Sequence, residues 1–192
     1  MIGTRRPPMN HQTSPGGKGG RAVCLVALLV FFSTVRGEVL KEYHIKAAYL
    51  YNFTKFVEWP TARFPNETSP IVIGVFGRNP FGDELEKIAE GRTVNRRAIL
   101  VKLIHTADEM RTVHLLFVPA SEETRLPAAA WQDDAILTVG ESEGFAALGG
   151  TITFTREADK VRFTIDIMST GSTGLKISAQ LLKLATEVHR KP

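Results

Sequence analysis

Hydrophobic and polar positions along this chain follow two periods in turn, one suited to helices and one to strands. Over residues 39–58 apolar side chains recur at helical spacing, and Trp59-Pro60 ends the run because proline disfavours helix at the residue before it. Ile71–Phe76 is a short, β-branched apolar run and reads as a buried strand. Residues 81–90 follow as a helix, 99–103 as a strand, 108–111 as a helical turn and 113–118 as a third strand. Residues 122–131 then predict a helix, 135–139 a fourth strand and 142–148 another short helix. Residues 151–155 and 160–167, separated by a polar turn with Glu157 and Asp159, predict an antiparallel hairpin, and 175–189 closes the series as an amphipathic helix. Strands alternating with helices and then a hairpin predict the class α/β: a single three-layer sandwich domain with a mixed, mostly parallel sheet and a C-terminal antiparallel hairpin.

The first helix carries more apolar surface than one buried stripe requires. Tyr43, Ala47, Leu50 and Val57 share one face, while Ile45, Tyr49, Phe53 and Phe56 lie nearly opposite. Two apolar faces need two covers. Either the domain's own sheet and a neighbouring helix supply both, or the aromatic face meets another protein, as contiguous exposed apolar surface does.

Ahead of this helix the pattern is of another kind. Residues 1–37 hold five basic side chains (Arg5, Arg6, Lys18, Arg21, Arg36), no acid, and one apolar run over 22–32. A basic leader, a short apolar core and small residues before Glu38 predict a cleavable secretory signal peptide over 1–37, with the mature domain at 38–192. The core falls short of the roughly 20 residues a membrane-spanning helix needs, and an uncleaved anchor is the alternative. Arg5-Arg6 is followed by Pro7-Pro8 rather than apolar residues, which favours the ordinary secretory route over the twin-arginine one, and Met9 is an alternative start. The expected destination is outside the cytoplasm.

Cleavage changes the charge and the cysteine count. The whole chain has 24 basic and 20 acidic residues, net +4; without the leader 19 and 20 remain, net −1. A basic stripe of the kind nucleic acid requires is therefore not expected, and Arg92, Arg96 and Arg97 read as a solvated edge. The single cysteine, Cys24, lies in the leader, so the mature domain has neither a disulfide nor a thiol nucleophile and depends on its core. At 155 residues it is large enough to bury roughly 70% of its unfolded surface.

Several motifs suggest chemistry. Gly140-Glu141-Ser142-Glu143-Gly144 is a G-x-S-x-G after a strand, the setting of a nucleophile elbow, and Asp159 or Asp166 and then His189 follow in hydrolase order. Against it, Asp159 falls in a turn, His189 lies near the end of the chain, and Glu141 and Glu143 would flank a developing oxyanion with negative charge. A turn or helix-capping role for Ser142 is preferred, and no catalytic residue is assigned. Gly171-Ser172-Thr173-Gly174 lacks the phosphate-loop spacing, although a helix start there could hold an anion. His44, His105, His114 and His189 have no ligand spacing, so neither a metal nor another cofactor is expected. Asn52 and Asn66 fit the glycosylation pattern, which matters only in a eukaryotic pathway.

The segment Lys46-Ala-Ala-Tyr-Leu-Tyr-Asn-Phe-Thr-Lys-Phe-Val-Glu-Trp-Pro60 resembles the opening helix of the YfiR/HmsC-like bacterial exported proteins. Ile73-Gly-Val-Phe-Gly with Pro80-Phe-Gly, the stretch from Ile136 to Gly149-Gly150, and Gly174-Leu-Lys-Ile-Ser-Ala-Gln-Leu-Leu-Lys-Leu-Ala185 extend the likeness in the same order. The resemblance implies a periplasmic regulator without chemistry of its own. It would bind the periplasmic part of an inner-membrane diguanylate cyclase or related sensor, hold it inactive, and so lower cyclic di-GMP and restrain biofilm formation. An outer-membrane lipoprotein could relieve the inhibition by sequestering it, and a second copy of the chain is a further candidate partner. Some relatives carry disulfides linked to redox control, which a cysteine-free mature chain cannot use. Ile165-Asp166 and Ser169-Thr-Gly-Ser-Thr173 also stand where relatives tend to have Ile-Asn and alanines, which bears on specificity.

Partner contacts are expected at Tyr49, Phe53 and Phe56 of the first helix and at Phe145, because aromatics dominate interface energetics. Two other classes of function stay open on sequence. One is a small-ligand sensor using the carboxyl ends of the parallel strands near Gly77, Phe81 and Ser121; the other is a serine hydrolase at Ser142.

Overall fold

A computed structural model describes residues 20–126, 131, 134–171 and 173–190, with side chains from residue 38 onward. The chain divides into two compact units, Met1–Glu38 and Val39–Pro192. Of the first, the backbone from Gly20 is described, and it is helical. Among the described residues, every strand belongs to the second.

The predicted opening helix is present, but it starts earlier and stops sooner. Helix α1 runs Gly20–Phe56, and Val57–Glu58 turns extended to form β1. The β-branched Val57 and the restriction that Pro60 places on Trp59 favour that change. The remaining strands are β2 (Ile71–Phe76), β3 (Thr93–Val94), β4 (Arg97–Ile104), β5 (Leu115–Val118), β6 (Leu137–Gly140), β7 (Ile152–Glu157), β8 (Lys160–Asp166), β9 (Lys176–Ile177) and β10 (Glu187–His189). Between them lie α2 (Glu84–Ala89), α3 (Ala107–Met110) and α4 (Ala179–Leu184). The main sheet has the order β10-β8-β7-β6-β5-β2-β4-β3. Its strands β2, β4, β5, β6 and β7 run parallel, β8 returns antiparallel beside β7, and β10 lies parallel to β8. This is one α/β domain with a mixed, mostly parallel sheet, as the alternating pattern implies.

The β7–β8 hairpin stands where the sequence places it, closed by Ala158 and Asp159 at φ 45° and 62°. It is not the last pairing. The long helix expected over 175–189 is instead β9, α4 and β10. Ser178 caps α4, accepting from the Leu181 amide at 3.2 Å, and Ala185 turns extended at φ −69°, ψ 144°. Thr186 then donates its amide to the Phe163 carbonyl at 3.0 Å, which starts β10 along β8. Strand β9 pairs antiparallel with β1 in a separate two-stranded sheet. Two other expected helices shorten to 3-10 turns, Ala120–Arg125 and Ala146–Leu148, and residues 127–130 of the first lie outside the described residues.

Alternation along the central strands divides the core. Ile71, Ile73 and Val75 of β2, with Leu115 and Phe117 of β5, pack with Ala47, Leu50 and Phe53 of α1, Leu85 of α2 and Leu181 of α4. Val72, Phe76, Leu116 and Val118 point the other way, onto Met110, Trp131 and Phe145. Both faces are covered, the first by helices and the second by short turns.

Candidate functional site

The G-x-S-x-G segment leaves the end of β6, but the groups a hydrolase needs are not beside it. Ser142 Oγ donates to the Glu123 carboxylate instead of a histidine. His189 sits on β10, in register with Asp166 and three strands from β6, roughly 14 Å away at about 4.8 Å per strand. Asp159 is engaged by Arg156 at 2.9 Å in the hairpin turn, and Asp166 accepts from the Met168 amide at 2.8 Å. Gly140 has a packing reason to be glycine. The fully buried Phe145 ring lies against Gly140 and Gly150, and a Cβ at either would overlap it.

The gap between β2 and β5 is where the strand order reverses, the place at which open α/β sheets hold ligands outside the carboxyl ends of their strands. Here the chain's own carboxylates fill it. Gly77 has φ +68°, and the Glu122 side chain, 6% exposed as a residue and paired with Arg125, occupies the volume a side chain at 77 would need. Ser121 lies exposed in the same turn. One strand further on, Glu141 accepts from Tyr43 Oη at 3.1 Å and from the Ala120 amide at 3.0 Å, and it pairs with Lys46 at 2.6 Å. Lys46 is 5% exposed and also meets Glu42 at 2.6 Å. Burial, and after it the negative charge of Glu141, pushes the Tyr43 phenol well above its ordinary range, so it stays a donor. Lys46, Tyr43 and Glu141 form a latch tying α1 to the loops after β5 and β6.

The expected partner-contact aromatics divide. Phe53 is 1% exposed, stacked on Phe154 at 5.9 Å and edge-on to Phe163 at 5.1 Å; Phe145 has no exposure at all. These two are interior side chains. Tyr49 and Phe56 are half-buried, Tyr49 against Phe53 and Phe163. With Ala47, Leu50 and Val57 also buried, both apolar faces of α1 are largely covered by the domain itself. The Gly171–Gly174 region does not start a helix, since α4 begins at Ala179, and Ser172 lies outside the described residues. Among the described residues no group of three His, Cys, Asp or Glu could hold a metal ion, and no helix is long and apolar enough to cross a membrane.

With this geometry in view, a family model described as YfiR/HmsC-like matches residues 43–186, from the latch tyrosine to the threonine that starts β10. The chain belongs to the YfiR/HmsC-like family. None of the curated proteins matches it significantly.

Within this YfiR/HmsC-like domain lies a polar nook that the sequence did not announce. His114, 5% exposed, accepts the Val72 amide on Nδ1 at 3.1 Å and receives the Trp59 indole N–H on its carbonyl at 2.9 Å. Phe64 stacks on the imidazole at 4.5 Å, and the Arg97 guanidinium lies 3.7 Å from the centre of the Phe64 ring. Burial, reinforced by the charge of Arg63, pushes the His114 pKa down to about 4, so the ring is neutral and can accept. The nook pins the loop after Trp59-Pro60 to the sheet. Only those two residues hinted at it, as a helix stop.

Proposed function

We propose that this YfiR/HmsC-like protein is a periplasmic binding module that holds an inner-membrane diguanylate cyclase, or a related sensor, inactive and so lowers cyclic di-GMP and restrains biofilm formation. The observation that carries this reading is the family match across residues 43–186. The separation of Ser142 from His189 and its bond to Glu123 favour binding over hydrolysis. The leader-like segment 1–37 supports export. A domain outside the cytoplasm acts on a cytoplasmic nucleotide only through a partner that spans the membrane. Control of this kind requires different affinities for the partner's two states: moving an equilibrium from 99:1 to 1:99 takes about a 10⁴-fold difference. An outer-membrane lipoprotein that sequesters the module would release the cyclase. The half-buried Tyr49 and Phe56 are the proposed aromatic contacts, with Phe53 behind them in the same cluster, whereas Phe145 lies in the core on the other face of the sheet.

Deleting the gene and measuring intracellular cyclic di-GMP tests the proposal. The level is expected to rise, and to fall again on complementation with wild type or with Ser142→Ala. An unchanged level in a strain that demonstrably expresses the protein would overturn it.

A further inference from the structure

The two sides of β4 are not used alike. Its inner side pairs along its length with β2, from Ile71↔Ile99 to Phe76↔Ile104, whereas β3 covers only Arg97 and Ala98 on the outer side. The Gly77 amide donates to the Ile104 carbonyl at 2.8 Å, so the Ile104 peptide groups face inward. Alternation then turns the N–H and C=O groups of Val101 and Leu103 outward, beyond the reach of β3, and among the described residues no strand pairs with them. Leu100 and Leu103 are 46% and 47% exposed beside this open row. A long, apolar, unpaired edge is what proteins otherwise shorten or cover, and it is a template for adding a strand.

Charge selects the occupant. Strand β4 carries two cations, Arg97 and Lys102, and no acid, with Arg96 exposed in the turn before it. An antiparallel second copy centred on Val101 would set the two Lys102 side chains diagonally on one face, opposite Leu100, with no acid on either strand to answer them. An extended acidic segment suits the edge better. Its apolar side chains would lie beside Val101 and Leu103 and its carboxylates beside Lys102, because successive strand residues alternate between faces. We propose that the outer edge of β4 is a docking site for an extended protein segment that alternates apolar and acidic residues, added as a further strand to the sheet. This rests on the reading of the protein as a binding module and places a backbone-mediated contact on it, at a site separate from the aromatic residues of α1.

The probe is a labelled eight-residue peptide alternating valine with glutamate, compared with its valine–lysine counterpart by fluorescence anisotropy on the full mature chain. The acidic peptide is expected to bind about tenfold or more tightly than the basic one. Val101→Pro removes an outward N–H while sparing the inner ladder, and is expected to abolish binding with circular dichroism unchanged. Lys102→Glu, which leaves the backbone intact, is expected to reverse the preference between the peptides. Equal binding of the two peptides, no binding of either, or wild-type affinity in folded Val101→Pro would overturn the proposal. So would a concentration-dependent dimer that Val101→Pro dissolves, which would give the edge to a second copy. The gene-deletion measurement of cyclic di-GMP reads the regulatory function separately, so failure of the edge and failure of the cyclase reading are distinguishable.

Discussion

The two faces of the sheet solve the same problem with different materials. On one, α1 lays regularly spaced apolar side chains on the strands, with Tyr49, Phe53, Phe154 and Phe163 interlocked as an aromatic cluster. On the other, the cover is irregular: Met110 from the one-turn α3, Trp131, and the Phe145 ring seated on Gly140 and Gly150. A regular cover announces itself by periodicity. An irregular one rests on single fits, and its signals resemble other motifs.

The largest effect should come from breaking the regular face. Phe53→Ala removes a fully buried ring and is expected to cost about 3–5 kcal/mol by urea denaturation, while Phe56→Ala, only partly buried on the same helix, costs clearly less. Equal losses would mean that the cluster is not the anchor of that face. Next is the latch on the same helix, at Lys46. Lys46→Met strands the buried Glu141 carboxylate and should cost about 3 kcal/mol, with part recovered in the double variant Lys46→Met/Glu141→Gln; strictly additive losses in thermal melts would deny the coupling.

Within the sheet, His114 makes stability depend on pH. Its folded pKa of about 4 lies below the ordinary 6.5, so as pH falls the unfolded chain takes up the proton first. The stabilisation is complete above about pH 6.5 and is lost progressively down to pH 4, by up to about 3 kcal/mol. His114→Asn keeps an acceptor for the Val72 amide, and its stability curve against pH should be flatter by that amount; parallel curves would dismiss the effect. On the irregular face, Gly140→Ala drives a methyl into the Phe145 ring and is expected to cost about 1–3 kcal/mol in chemical denaturation. A neutral result would show that the wedge can relax. Smallest is Ser178→Ala, which removes the α4 cap for about 1 kcal/mol, read as a shift in melting temperature.

What the sequence revealed obeys the same division. The strand series and α1 were legible because their periods are long and clean. Residues 175–189 were not: six helical residues between two short strands keep a nearly helical apolar spacing, and the boundary lies in the Ser178 cap and the extended Ala185. The elbow-like motif was set aside on its flanking charges, but its glycines could not be explained from sequence: glycine is demanded equally by a strained turn and by an aromatic ring pressed on the backbone, and Phe145 lies beyond the five-residue window. Lys46 and Glu141 are 95 positions apart, and His114 and Trp59 are 55 apart, so neither the latch nor the nook has a local signature.

Gly77 and Glu122 give the fold an unused capacity. Because the backbone at 77 carries no side chain, the Glu122 carboxylate takes the space beside it at the strand reversal. Shortening residue 122 would take away both that filling and the partner of Arg125, at the position where other open α/β sheets keep their ligands. Glu122→Gly is therefore expected to lower the melting temperature, and recovery with acetate or formate would show that a free carboxylate can take the place of the missing one.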